Sequence, residues 1–146
     1  MLYVITGPPA AGKSSWIAAR ASARDIIIDL DRIASALTGP GAPQWNQDPP
    51  VQRVAQRARF AAIDEALKLT DQVDVYLIHT MPGPKARARY RRHGGRIVVV
   101  DPGESIVRER VKAMRSDALD RVVTRWYRDY RKGGSRPVTA QSSRVW

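Results

Sequence analysis

The sequence predicts an α/β fold of three layers: a parallel sheet of about four strands, helices on both of its faces, and a helical lid. Three observations carry this. Four short apolar runs recur along the 146 residues, with helical segments between them. The runs are apolar almost throughout, which marks strands covered on both faces, as in a parallel sheet. Regular strand–helix alternation joins such strands through crossovers.

The elements follow in order. Residues 2–5 form a first apolar, β-favouring run, and an Ala-rich helix spans about 13–23. Residues 25–29, "DIIID", make a second strand that leads into a short helix over 31–37. The stretch 38–50, "TGPGAPQWNQDPP", is a Pro- and Gly-rich loop whose Trp45 is either a packing anchor or a substrate-stacking group. A helix over about 50–69 precedes a third strand at 73–78. A short basic helix at 84–92 is closed by Gly94-Gly95, and 96–101 is the fourth strand. Helices near 104–115 and 117–131 complete a domain of residues 1–132. The basic tail 133–146 has the composition of a flexible arm.

Composition narrows the function. With no cysteine, disulfides and thiolate zinc sites are excluded, and two histidines give little basis for a protein-only metal centre. No window approaches the ~20 apolar residues of a membrane span, and no targeting segment is evident, so a cytoplasmic protein is expected. The net charge is +11, and it is uneven. Residues 1–50 carry 4 basic and 4 acidic side chains, residues 51–100 carry 10 and 4, and residues 101–146 carry 11 and 6. Most of these cations are arginines, which suit forked contacts to phosphate oxygens. A polyanionic partner such as nucleic acid fits; a basic surface that is merely solvated is the alternative.

The strongest motif lies at the N-terminus. Gly7-Pro8-Pro9-Ala10-Ala11-Gly12-Lys13-Ser14-Ser15 matches the phosphate-cradling pattern G-x-x-x-x-G-K-[ST], between a strand and a helix as that chemistry requires. Gly7 and Gly12 allow the tight turn that points backbone N–H groups and a helix N-terminus at a β-phosphate. Lys13 reaches the β- and γ-phosphates, and the Ser14 hydroxyl is a ligand for Mg²⁺. The fold is thus a P-loop nucleoside-triphosphatase or kinase fold, with ATP and Mg²⁺ as expected cofactors.

Phosphoryl transfer needs further parts: a carboxylate near the γ-phosphate, an acceptor pocket, and cations over the transferring group. "DIIIDLDR" puts Asp29 and Asp31 at the C-terminal end of the second strand, which borders the ligand crevice of an open parallel sheet. Asp31 is placed to take a proton from an attacking hydroxyl and Asp29 to hold metal-bound water, unless either merely caps the next helix. In "SIVRERVKAMRS", Arg108, Lys112 and Arg115 share one helical face while Arg110 points elsewhere. This helix either closes over the phosphates or presents a solvated face. "GPKARARYRRHGG" crowds Lys85, Arg87, Arg89, Arg91 and Arg92 around Tyr90, which is a candidate for stacking a base.

The order "GPPAAGKSS", "IIIDLDRI", "YLIHTMPG", "RIVVVDPGESIVRERVKAMR" and "VVTRWYRDY" resembles the kinase domain of bacteriophage polynucleotide 5′-hydroxyl kinases. It is also similar to small phage P-loop kinases that act on hydroxymethylated bases in DNA. The resemblance covers residues 2–131, and only its first motif is highly specific. It implies that Asp31 is the general base and Arg110 the lid arginine bridging donor phosphates, with Arg115 following. Two positions depart from the family. A Ser-Asp pair that helps hold the acceptor hydroxyl is replaced by His79-Thr80, and an arginine that grips the acceptor's phosphate is replaced by Ala34. His79 or Thr80 is the substitute contact, or His79 is satisfied by backbone at a strand end.

The expected function is an ATP-dependent kinase acting on a hydroxyl of nucleic acid, with Arg87, Arg89 and Arg92 on the phosphodiester backbone. A kinase of a small acceptor and a non-kinase nucleotide-binding module are the alternatives. Oligomeric state is not legible.

Overall fold

The computed structural model describes residues 1–44, 46–114, 116–133 and, as backbone, 140–141. Trp45, Arg115 and most of the C-terminal arm lie outside the described residues.

The chain runs β1 (Leu2–Thr6), α1 (Lys13–Ala18), β2 (Ile26–Ile28), α2 (Leu30–Ala36), α3 (Pro49–Ala66), β3 (Val75–Ile78), α4 (Pro84–Arg92), β4 (Arg96–Val100), α5 (Glu104–Ala113), α6 (Asp117–Lys132) and β5 (Ala140–Gln141). The strands pair in the order β2-β3-β1-β4-β5, all parallel. The four strands read from the sequence therefore form the sheet. A fifth, two residues long, adds to the β4 edge from within the arm, opposite Val99 and Val100.

Both faces of every long strand are apolar, and the pleat deals alternate residues to opposite layers. Leu2, Val4, Ile28, Val75 and Leu77 pack with Ile63, Ala66 and Leu67 of α3 and Tyr90 of α4. Ile5, Tyr76, Val98 and Val100 point the other way, onto Trp16 and Ile17 of α1. A third cluster joins Val99 to Val107 and Val111 of α5 and to Val123, Trp126 and Tyr127 of α6. This last cluster holds Ala11 of the Gly-rich loop, so the lid helices and the loop share a core.

Several boundaries differ from the sequence reading: β3 begins at Val75 instead of 73, α3 ends at Ala66 instead of 69, and those around β2 differ for local reasons. The first helix ends at Ala18 instead of running to residue 23, because Ser22 and Asp25 close a reverse turn. There the Asp25 carboxylate accepts from the Ser22 amide at 2.7 Å and the Asp25 amide donates back to the Ser22 carbonyl at 3.2 Å. Asp25 and Asp29 accordingly flank β2 and do not belong to it. Among the described residues no helix is long and apolar enough to cross a membrane.

Candidate functional site

The C-terminal ends of β1, β3 and β4 meet at one place, and the loop of residues 7–12 crosses it. Parallel register aligns Ile5 with Ile78 and Thr6 with Val99, so Gly7 leaves the sheet beside both neighbours. Its amide donates to the Thr80 carbonyl at 3.4 Å. At Gly7, φ is +145°, and a Cβ there would stand 2.1 Å from the Val100 carbonyl oxygen, so only glycine fits. Gly12 takes a left-handed conformation (φ 92°) and turns the chain into α1. The first-turn amides of α1 then face the loop without intrahelical acceptors.

Lys13 closes this loop from inside. Its Nζ donates to the carbonyls of Gly7 at 3.0 Å and Pro8 at 2.7 Å. Burial lowers its pKa to about 8, against an opposing pull from Asp29 and Asp31. Those three charged groups therefore sit within electrostatic reach of one another. The Ser14 hydroxyl lies on the outer rim and donates to Asp29 Oδ2 at 3.4 Å. Asp29 is buried and its Oδ1 accepts from the Asp31 amide at 3.1 Å, so Asp29 both caps α2 and faces Ser14. The cap is thus supplied by Asp29, which leaves the Asp31 carboxylate exposed at the rim of the crevice. Partial desolvation and the adjacent Asp29 charge raise the Asp31 pKa, while Lys13 holds it down.

Beyond the shared core, an arginine of the lid hydrogen-bonds the loop. Arg110 Nη1 donates to the Ala10 carbonyl at 2.9 Å, and Ala10 itself has a positive φ of 58°. Arg108, on the face that also carries Lys112, turns instead to α6: it pairs with Glu104 at 2.9 Å and Asp120 at 3.0 Å and donates to the Thr124 hydroxyl. These contacts link α5 to α6. Arg115 is not among the described residues.

At the end of β3, His79 is a partnered, neutral group. Its Nδ1 lies 2.9 Å from the Tyr90 hydroxyl, and burial together with Arg59 and Arg87 depresses its pKa to about 4. The Thr80 carbonyl accepts from Trp126 Nε1 at 2.9 Å. Tyr90 does not stack bases, because it is 3 % exposed and packs against Leu2, Leu67 and Val75. The cations of α4 are unequal. Arg87 is half-buried and its Nε donates to the Pro82 carbonyl at 2.8 Å. Arg89 pairs with Asp64 of α3 at 2.6 Å, whereas Lys85, Arg91 and Arg92 are exposed.

One residue of this region was missed in the sequence. Arg59 stands in the buried stripe Ala55, Arg59, Ile63, Ala66 of α3, and its Nη2 donates to the Ile78 carbonyl at 3.0 Å. The i, i+4, i+8 spacing of that stripe is the signal that would have found it.

A tight glycine turn, an inward lysine, and a hydroxyl paired with an acidic group at the next strand's end make this a P-loop nucleotide-binding module of kinase-like build. The arrangement fits a triphosphate with Mg²⁺: Ser14 and Asp29 would hold the metal, and Lys13 and the α1 amides would supply the phosphate donors. A family-wide sequence comparison matches an AAA domain over residues 2–132, and the chain belongs to that family, which is P-loop NTPase-like and includes kinases. No curated protein matches the chain.

Proposed function

We propose that the protein is an ATP- and Mg²⁺-dependent kinase that transfers the γ-phosphate to a hydroxyl of nucleic acid, either a 5′-hydroxyl end or a hydroxymethylated base. One observation supports this above the others: Asp29 takes over the capping of α2, and Asp31 is left as an uncommitted carboxylate beside Lys13 at the mouth of the cradle.

In this reading Asp31 accepts the proton of the attacking hydroxyl as its oxygen bonds to phosphorus. The bond to the bridging oxygen breaks, and its electron pair stays with the departing diphosphate. Lys13 and Arg110 offset the charge that develops there; for both, nucleotide would replace loop carbonyls as the acceptor. Ser14 and Asp29 would hold Mg²⁺, which would supply Lewis-acid stabilisation when bound. The surplus of cations on α4 and beyond supports a polyanionic acceptor. A small acceptor is the second reading, and the Arg89–Asp64 pair favours it, since that guanidinium is already occupied.

Labelled ATP incubated with oligonucleotides, mononucleotides and hydroxymethylated DNA decides between them. Asp31→Asn should keep ATP affinity within a few fold while turnover falls by roughly 10²–10⁴, the usual contribution of a general base. Equal losses of affinity and rate would make Asp31 part of the nucleotide site and remove the argument for transfer.

A further inference from the structure

The described residues contain a buried guanidinium with no carboxylate on it. Arg59 is 8 % exposed, it forms no ion pair, and its Nε has no hydrogen-bond acceptor. A guanidinium carries five N–H donors. The only acceptor found for them here is the Ile78 carbonyl. Leaving a charged donor buried and unmatched is destabilising, so such a group calls for a partner from outside the fold.

Its position says which partner. Ile78 ends β3, at the sheet edge that borders the crevice, and the next residue is His79. Asp29, beside the Ser14 rim, is close enough to stabilise the Arg59 charge, and Arg59 with Arg87 suppresses protonation of His79. Arg59 thus lies at the C-terminal end of β3, with Arg87 and neutral His79 near it and Asp29 within electrostatic reach.

We propose that Arg59 is the acceptor-binding residue of this protein, gripping an oxyanion carried by the acceptor next to the hydroxyl that is phosphorylated. This rests on the kinase reading of Asp31. The acceptor is accordingly an anion in its own right, a phosphate ester or a carboxylate, recognised from α3.

Two measurements test this and separate its failure from that of the kinase reading. In the first, the protein is loaded with a non-hydrolysable ATP analogue and Mg²⁺, so that the cradle is filled. The ¹⁵N–¹H signal of Arg59 Nε, assigned through its own side-chain carbons, is followed while inorganic phosphate or, separately, acetate is added. A saturable shift supports the proposal, and the anion that produces it identifies phosphate or carboxylate; no shift with either overturns it. In the second, Arg59→Lys is assayed on acceptor pairs that differ only in one phosphate, such as a nucleoside 3′-monophosphate and its nucleoside. The KM for the phosphorylated member should rise roughly 10–100-fold, the effect of losing forked hydrogen bonds to a charged group. The KM for ATP should not change, and the bare nucleoside should lose far less than its phosphorylated partner. An equal loss on both members would reduce Arg59 to a brace for the Ile78 carbonyl. Should the parent phosphorylate no acceptor, the kinase reading falls and the Nε titration alone decides the role of Arg59.

Discussion

Replacing Lys13 by Met should flatten the alkaline limb of the protein's stability curve. In the folded chain the Lys13 ammonium has a pKa of about 8 instead of 10.5, because burial outweighs the attraction of Asp29 and Asp31. Between those two values the unfolded chain still holds a proton that the folded chain has released. Stability therefore rises with pH across that window, and below it both states are protonated and the dependence disappears. Each unit of separation is worth about 1.4 kcal/mol, which makes roughly 3 kcal/mol the upper limit. The side chain is not wholly sealed from water, so a rise of about 1–2 kcal/mol between about pH 7.5 and 10 is the working figure. Urea unfolding at several pH values, on the parent and on Lys13→Met without nucleotide, provides the curves. Tyr76, Tyr90, Tyr127 and Tyr130 all have raised pKa values and pull the other way above about pH 10, but they do so in both proteins. The difference between the curves isolates Lys13. A difference that stays flat within ~0.3 kcal/mol, or that falls with pH, would refute the argument that this lysine is buried against its charge. Saturating ATP should abolish the rise in the parent, because phosphates at the cradle hold the ammonium in its protonated form.

Three other outcomes are expected. Gly7→Ala should cost about 3 kcal/mol or more in urea unfolding, since its Cβ meets the Val100 carbonyl oxygen at 2.1 Å at a positive φ; Gly83→Ala, with nothing within 4 Å, should move stability by less than about 1 kcal/mol. Tyr90→Phe should lower stability by about 1 kcal/mol through the lost His79 hydrogen bond and leave single-stranded DNA binding intact. Weakened DNA binding at unchanged stability would return Tyr90 to a base-stacking role. For Arg89 and Arg92 changed together to Ala, the slope of log DNA affinity against log salt should become shallower by about 0.7, the contribution of one phosphate on a single strand, because Asp64 already holds Arg89. Parallel lines from anisotropy titrations of the two proteins would mean that neither arginine touches nucleic acid.

The strands, the cradle and the two aspartates were legible because each is written locally. A run such as "RIVVV" needs no partner to be recognised, and G-x-x-x-x-G-K-S carries its own turn chemistry. The division of labour between Asp29 and Asp31 was not legible, since two carboxylates one residue apart compete for one cap. Only the backbone geometry at Asp29, with its Oδ1 on the Asp31 amide, decides it. Tyr90 was misread because its basic neighbours advertise a surface, whereas its own position on α4 turns it into the core beneath Gly95. Arg108 shows the same limit: helical spacing groups it with Lys112, but its carboxylate partner Asp120 lies on a different helix. Arg59 was overlooked for the opposite reason. A cation in an apolar stripe looks like an interruption until the carbonyl at the end of β3 shows what it faces.

The Thr80 carbonyl receives two donors, the Gly7 amide from the loop and the Trp126 indole from α6. An indole N–H held by a carbonyl in a dry setting emits at shorter wavelength than one bonded to water. Trp126 is 3 % exposed and stacked on Tyr130, with ring centroids 4.7 Å apart, so its emission is that of the dry state. Any rearrangement that parts α6 from the end of β3 wets this ring, and the colour of its light changes with it. The molecule thus carries its own optical gauge at the junction of lid, loop and β3. A stopped-flow record of that emission on mixing with nucleotide, with Trp16, Trp45 and Trp146 changed to Phe so that Trp126 alone reports, would time the junction's response without a label.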